Sequence, residues 1–286
     1  MVLEHHKMLD CAFPEVQKYL ETSQTVIIPY GLSEQHGAHL PLDVDIRTAE
    51  FVALDLAKKL NCLVAPTVTY SFSGGMLPGT INIKPTTFCN LMCDIIESLH
   101  LQGFRNFVII PGHGGSESLM QLKEALRIQK WLNPALADAM ILLTPIWEFS
   151  PTWYGMFDER DYHAGKAETA LLLHYSPEVV RMDKLVMDVP EIAENLRQDP
   201  DSYQLRQSFT ELNYEIVQTS QREEVKLGVM GYPEQATAEL GRKMAEECVE
   251  NGSKLLQNAI AAADEARRNG TRITHDNGAL LKIRSI

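Results

Sequence analysis

Glu34, His36, His39, Asp43 and Asp45 crowd carboxylate oxygens and imidazole nitrogens into twelve positions. These are the donor types that hold divalent cations. They follow Thr25-Val26-Ile27-Ile28-Pro29, an unbroken apolar run that reads as a buried strand. They therefore stand just past a strand's carboxyl end, where open α/β sheets collect their ligands. Glu34, His36 and Asp45 form an oxygen-and-nitrogen set suited to Zn²⁺, Mn²⁺ or Fe²⁺. The competing reading is a polar loop in which Asp45 caps the helix that begins at Ile46.

Two further constellations repeat the theme. Pro111-Gly112-His113-Gly114-Gly115-Ser116 follows the apolar run Phe107-Val108-Ile109-Ile110. A strand, a glycine-rich turn and a helix start can cradle phosphate, yet the P-loop ending is missing and no Lys or Arg occurs before Lys123. The glycines instead allow close backbone approach to an ion, with His113 projecting from the strand end. A histidine hydrogen-bonded within its own turn is the alternative. The third stretch, Asp161-Tyr162-His163-Ala164-Gly165-Lys166-Ala167-Glu168-Thr169, puts His163 ahead of a helix and Glu168 in its first turn. Both can face one cleft, although Glu168 also suits a helix N-terminus as a plain acid. Three strand ends that each deliver Glu, His or Asp to one face favour a site over three unrelated loops.

The elements that must position these groups alternate along the chain. Strands are expected over 25–29, 62–68, 107–110 and 139–146, and helices over 13–21, 46–60, 86–102, 115–132 and 167–174, with Thr86 or Thr87 as the cap of the third. This predicts an α/β fold: three layers, α/β/α, with a mainly parallel central sheet of about four strands. Beyond 183 the pattern weakens. Prolines and mixed charge mark a surface excursion around 188–226, with a helix and an exposed arm expected over 202–226. A long helix follows over 233–268, with a break expected near Gly252. No linker divides the chain, so residues 1–286 are read as one domain.

Composition sets further bounds. Hydrophobic residues at 45% and charged residues at 22% describe an ordinary soluble protein. The formal charge of −12 argues against nucleic acid or an anionic membrane as partner. No stretch is long and apolar enough to span a bilayer, and residues 1–10 carry charge where a signal peptide needs an apolar core. Five scattered cysteines fit a reducing cytoplasm better than a disulfide framework. Cys89 and Cys93 read as small core residues.

The motifs resemble those of the creatininase (creatinine amidohydrolase) family. The resemblance rests on Gly31-Leu32-Ser33-Glu34-Gln35-His36-Gly37, Leu40-Pro41-Leu42-Asp43-Val44-Asp45 and Pro78-Gly79-Thr80-Ile81. It continues through the glycine turn at His113, where Pro111 and Ser116 replace two asparagines. His163-Ala164-Gly165-Lys166-Ala167-Glu168-Thr169 and the box from Gly228 to Thr237 complete it. The resemblance implies a two-metal amide hydrolase assembled as a homo-oligomer, usually a hexamer. It assigns Glu34 and His113 to one ion, His36 and a glutamate to the other, and Asp45 to the bridge. Creatininase itself takes that glutamate from two residues after the turn histidine. Gly115 stands there in this sequence, so Glu168 is inferred to fill the place. His163 matches a histidine assigned to proton transfer.

The chemistry follows from the residue types. Two cations about 3.5–4 Å apart acidify a shared water and polarise a carbonyl, so that a metal-bridging hydroxide attacks the amide carbon. The departing nitrogen must be protonated, and His163 is the best-suited acid. Glu168 or Glu34 could accept the water's proton, though a carboxylate bound to a cation is a weaker base. His39 and Asp43 are candidates to orient His36, and Trp153 and Tyr154 either lid the pocket or pack at a contact. The substrate expected is a small non-peptide amide, cyclic or a formamide. A two-metal phosphoesterase and an inactive scaffold of the same family are the alternatives.

Overall fold

The computed structural model describes residues 2–273. The elements run α1 (Phe13–Leu20), β1 (Thr25–Tyr30), α2 (Val44–Leu60), β2 (Leu63–Val64), α3 (Pro85–Gln102), β3 (Asn106–Pro111), α4 (Ser116–Leu132) and β4 (Met140–Leu143). Then come α5 (Pro151–Asp158), α6 (Lys166–Tyr175), α7 (Pro190–Gln198), β5 (Gln204–Gln207), β6 (Gln218–Gln221) and α8 (Ala238–Asn269). β1 to β4 form one sheet in the order β2-β1-β3-β4, parallel throughout. Every residue of β1 and β3 is buried, which explains why these runs are continuously apolar rather than alternating. Helices flank the sheet: α2, α6 and α8 pack on one another, and α3 packs on α4. The predicted three-layer α/β/α arrangement with four parallel strands is the one observed.

Register matters most at the sheet centre. β1 and β3 pair from Thr25↔Asn106 to Tyr30↔Pro111, so both strands end level. The loops carrying Glu34 and His113 therefore leave the sheet side by side.

Several local expectations are corrected. The second strand is only Leu63–Val64, with an isolated bridge between Tyr30 and Val68. Pro66 has no N–H to extend the ladder. β4 stops at Leu143, ahead of Pro145. α3 begins at Pro85 after Lys84, so neither Thr86 nor Thr87 is its cap. The excursion contains α7, whose Ala193 and Leu196 are buried. Residues expected to be helical after 202 form instead an antiparallel hairpin, Gln204↔Gln221 to Gln207↔Gln218. Its tip exposes Phe209, Leu212, Tyr214 and Ile216. Residues 151–158 are helical, with Ser150 accepting from Trp153 N. Trp153 is buried, 6.1 Å from Trp147 and edge-on to it, and Tyr154 packs against the same core. Neither is a lid.

The long helix α8 passes through Gly252 unbroken. A Cβ at Gly252 would sit 3.0 Å from Leu56 and from Phe149, so the glycine serves close packing. No helix among the described residues is long and apolar enough to cross a membrane.

Gly241 shows the same close packing where α8 meets α6. A Cβ there would overlap the Ala170 carbonyl oxygen and lie 3.0 Å from His174 Cβ. Helix propensity alone makes Gly241→Ala stabilising by about 1 kcal/mol. The overlap reverses the sign, and a net loss of about 2 kcal/mol is expected. Urea unfolding should show a lower midpoint at an unchanged slope.

Candidate metal centre

Two glycines bring the strand ends onto the start of α2. A Cβ at Gly31 would lie 2.6 Å from the Asp45 carbonyl carbon, and one at Gly112 would overlap the Asp45 carbonyl oxygen. Asp43 occupies the cap position of α2, and Asp45 lies inside the first turn, so Asp45 is not the cap. The 34–42 loop closes through Glu34 N donating to Leu42 O at 2.9 Å. The result is a buried cluster in which Glu34, His36, Asp45 and His113 are all less than 9% exposed.

Asp45 faces two imidazoles. Its Oδ2 lies 3.2 Å from His113 Nδ1, and its Oδ1 lies 3.1 Å from His36 Nε2. Glu34 Oε2 is 3.1 Å from His113 Nδ1, and Glu168 Oε2 is 3.6 Å from His36 Nε2. Among the described residues, the donor atoms of Glu34, Asp45 and His113 all fall within 4.8 Å of one another. Those of His36, Asp45 and Glu168 do too, as do those of Glu34, His36 and His163. Every residue expected in the site is thus brought to one place. His36 Nδ1 donates to Glu34 O at 3.1 Å, which leaves the Nε2 lone pair for the centre.

Glu34 Oε2, His36 Nε2 and Asp45 Oδ2 are buried and have no hydrogen bond. Carboxylate oxygens and imidazole nitrogens that converge at 3.1–3.2 Å need a proton or a cation between them, and this donor set is the kind that surrounds a divalent ion. The residues present therefore fit a divalent ion.

Gly115 cannot supply a ligand, and a Cβ there would overlap His113 Nε2. Glu168 lies on the opposite side of the cluster, in the first turn of α6, where its Oε2 accepts from Ala164 N at 2.6 Å. Ala164 adopts a left-handed φ of 53° to make that turn. His163 Nε2 donates to Gln35 O at 2.7 Å, and its ring lies 4.3 Å from that of His36.

Neither His39 nor Asp43 hydrogen-bonds to the His36 ring. His39 Nε2 pairs with Thr169 Oγ1 at 3.0 Å, and Asp43 pairs with Arg47 at 2.8 Å. The orienting group is the Glu34 carbonyl, which no sequence pattern reveals.

Two other carboxylates were not singled out by the sequence. Asp161 is buried and accepts from Lys166 N, Ala167 N and Tyr232 N at 2.7–3.0 Å. It joins the start of α6 to the segment after Gly228. The signal was its place five residues before the helix, a spacing that suits an acid binding first-turn N–H groups. Asp188 likewise accepts from Lys226 N, Leu227 N and Gly228 N. The excursion also borders the centre. Tyr203 Oη donates to Ser73 O at 3.1 Å, and Gln221 Oε1 accepts from Met76 N at 2.5 Å. Between these contacts runs Gly75, where a Cβ would be 3.8 Å from Glu34 Oε1.

Charge and burial oppose each other here. Burial pushes His36 down, but the Asp45 and Glu168 carboxylates outweigh it and raise the imidazole to about 10. His113 is raised well above its ordinary value, against burial, by Glu34 and Asp45. Glu34 and Asp45 are held low by these imidazoles despite burial. Burial lifts the Glu168 carboxyl to about 7, and burial with the His36 charge pushes His163 down to about 4.

Comparison with known proteins gives the family and the fold. The profile of the family Creatininase, described as creatinine amidohydrolase, matches residues 10–256. A mycofactocin precursor peptide peptidase of Mycobacterium ulcerans is 31% identical over 246 residues, 80% of this chain and 83% of that protein. One from Mycolicibacterium smegmatis is 33% identical over 174 residues, 56% of this chain and 62% of its own length. The chain thus spans less than two thirds of that second relative. A crystal structure of creatinine amidohydrolase (creatininase) superposes with a TM-score of 0.72 over 90% of this chain and 99% of its own, at 20% identity, which speaks for the fold.

Ligation needs neutral imidazoles, whereas His36 and His113 hold protons in the metal-free protein. Titration with Zn²⁺ at pH 8 should therefore release protons, with His36 alone giving about one per chain. Calorimetry in buffers of different ionisation enthalpy measures that number, and release near zero would show that the His36 imidazole is not raised as its carboxylate neighbours dictate.

Proposed function

The chain belongs to the creatininase family, and on that premise we propose that it is a metal-dependent amidohydrolase working with two divalent ions. The observation that carries this reading is the shared position of Asp45, common to the group with Glu34 and His113 and to the group with His36 and Glu168. In this reading Glu34, Asp45 and His113 hold one ion, and His36, Asp45 and Glu168 the other. The all-nitrogen-and-oxygen donor set suits Zn²⁺, with Mn²⁺ or Fe²⁺ also accommodated. When bound, the ions would supply a nucleophilic water at neutral pH and Lewis-acid polarisation of the amide carbonyl.

The protein's own part is proton management. His163 is neutral near pH 7, because burial pushes its imidazole down. Its Nε2–H is committed to Gln35 O, so Nδ1 takes the proton from the attacking water and returns it to the departing nitrogen. Glu168 serves as a ligand, since a carboxylate engaged on a cation is the weaker base. Buried walls keep bulk water from competing with the nucleophile.

A small non-peptide amide, cyclic or a formamide, is the substrate class we assign. A peptide amide is the second reading, favoured by the names of the two relatives at 31% and 33% identity. The phosphoesterase reading needs a cation aimed at the substrate, and Arg47 is engaged by Asp43 and Ser176 instead. Five free cysteines fit the reducing cytoplasm we assign to it. Apolar side chains exposed at Met120, Trp131 and Leu132 fit a homo-oligomer, a hexamer in this reading.

Metal analysis of the purified protein should find two ions per chain, and Asp45→Asn should lose both. Small amides, blocked dipeptides and a phosphate ester should then be screened for released product before and after chelation. Turnover of an amide that stops on chelation and returns with metal is expected; undiminished turnover in the chelated sample would sink the proposal. His163→Asn should keep both ions while kcat falls by about 10²–10⁴.

A further inference from the structure

The two proposed ion positions are not equally well built. Glu34, Asp45 and His113 all hang from the ends of β1 and β3 or from the turn of α2 pressed against them by Gly31 and Gly112. Sheet hydrogen bonds therefore fix their separations. Glu168 is outside this frame. His36 shares the loop after β1 with Glu34, whereas Glu168 belongs to α6, a helix preceded by α5 rather than by a strand.

One buried hydrogen bond spans these two elements directly behind the ligands. His39, three residues after His36, places Nε2 3.0 Å from Oγ1 of Thr169, the residue after Glu168. Both side chains are fully buried. Each partner is also fixed through its backbone: His39 O accepts from Arg181 N at 2.8 Å, and Thr169 N donates to Gly165 O at 3.1 Å. His39 Nδ1 is buried without a partner. A bare lone pair is less costly there than a bare N–H, so Nε2–H is the donor and Thr169 Oγ1 the acceptor. The ring is confined as well. Gly37 has a left-handed φ of 66°, and a Cβ on it would lie 2.7 Å from Val229 and 3.1 Å from His39 Nδ1.

We propose that His39 and Thr169 are a positioning pair, which sets the distance between His36 and Glu168 and so the affinity for the second divalent ion, without touching ion or substrate. The inference rests on the two-ion reading. A hydrogen bond that merely stabilised the fold would affect both ion positions alike. One that spaces His36 from Glu168 affects only the second.

The test is Zn²⁺ titration of metal-free wild type, Thr169→Val and Thr169→Ser, with ions per chain counted after equilibrium dialysis. Valine keeps the shape and removes the acceptor; serine keeps the acceptor. Thr169→Val should weaken the second ion about tenfold or more and leave the first unchanged, while the metal-free protein melts somewhat lower because the buried His39 Nε2–H loses its acceptor. Thr169→Ser should bind both ions as the wild type does. Should Thr169→Val fail to fold, His39→Gln and His39→Asn make the same comparison, because the glutamine amide reaches the Nε2 position and the asparagine amide does not. Wild-type affinity for both ions in Thr169→Val, or parallel loss of both, would overturn the inference. A wild type that binds a single ion would instead overturn the two-ion reading, and the inference with it.

Discussion

The structure depends on how closely the ends of β1 and β3 approach the first turn of α2. Neither Gly31 nor Gly112 has room for a Cβ against the Asp45 backbone. With that approach in place, Asp45 points its two oxygens at two different imidazoles from a fully buried position. An alanine at either glycine would push the helix start outward and pull the shared carboxylate from between its neighbours. The sheet is thus a jig: its hydrogen bonds set the strand ends level, and the glycines let the helix close on them.

Burying two carboxylates beside two imidazoles has a clear electrostatic logic. Taking ionised groups out of water is strongly unfavourable unless opposite charge is close by. In the metal-free protein that charge comes from protons on His36 and His113, which is why both imidazoles sit well above their ordinary range. A divalent ion does the same work with more charge at the same place. Proton and metal are therefore competitors for one set of lone pairs. The cluster also tolerates His163 and His39 only as neutral rings, both pushed down to about 4 by burial first and by neighbouring imidazole charge second.

Much of this was legible in the residues themselves. Continuous apolar runs marked buried parallel strands, and the Glu, His and Asp groups beyond them marked the functional face of the sheet. Glu34, His36, Asp45, His113 and Glu168 do converge. What the sequence hid were relationships that carry no periodic or compositional trace. Asp161 and Asp188 act by accepting backbone N–H groups, and such partners are invisible until the chain is folded. His39 looked like a support for His36 because the two are close in sequence, yet its ring turns to Thr169 on another element. The hairpin reads as helix in the sequence because its strands are largely polar on both faces, which removes the alternation that identifies a strand. Gly252 reads as a break in the sequence because a glycine that admits a neighbour and a glycine that ends a helix look the same in one dimension.

The hairpin is pinned at its base. Arg222 N donates to Tyr203 O at 2.8 Å, so the segment leaves and re-enters the body of the protein at one point. Whatever lies between those two residues can lengthen, shorten or change its side chains while the ligand cluster stays where it is, since closing a longer loop adds little free energy. Tyr203 and Gln221 nevertheless bring that segment to the rim beside Gly75 and Glu34. A scaffold made this way separates the part that reacts from the part that selects, so selection can drift through insertions and deletions while the reacting groups stay fixed.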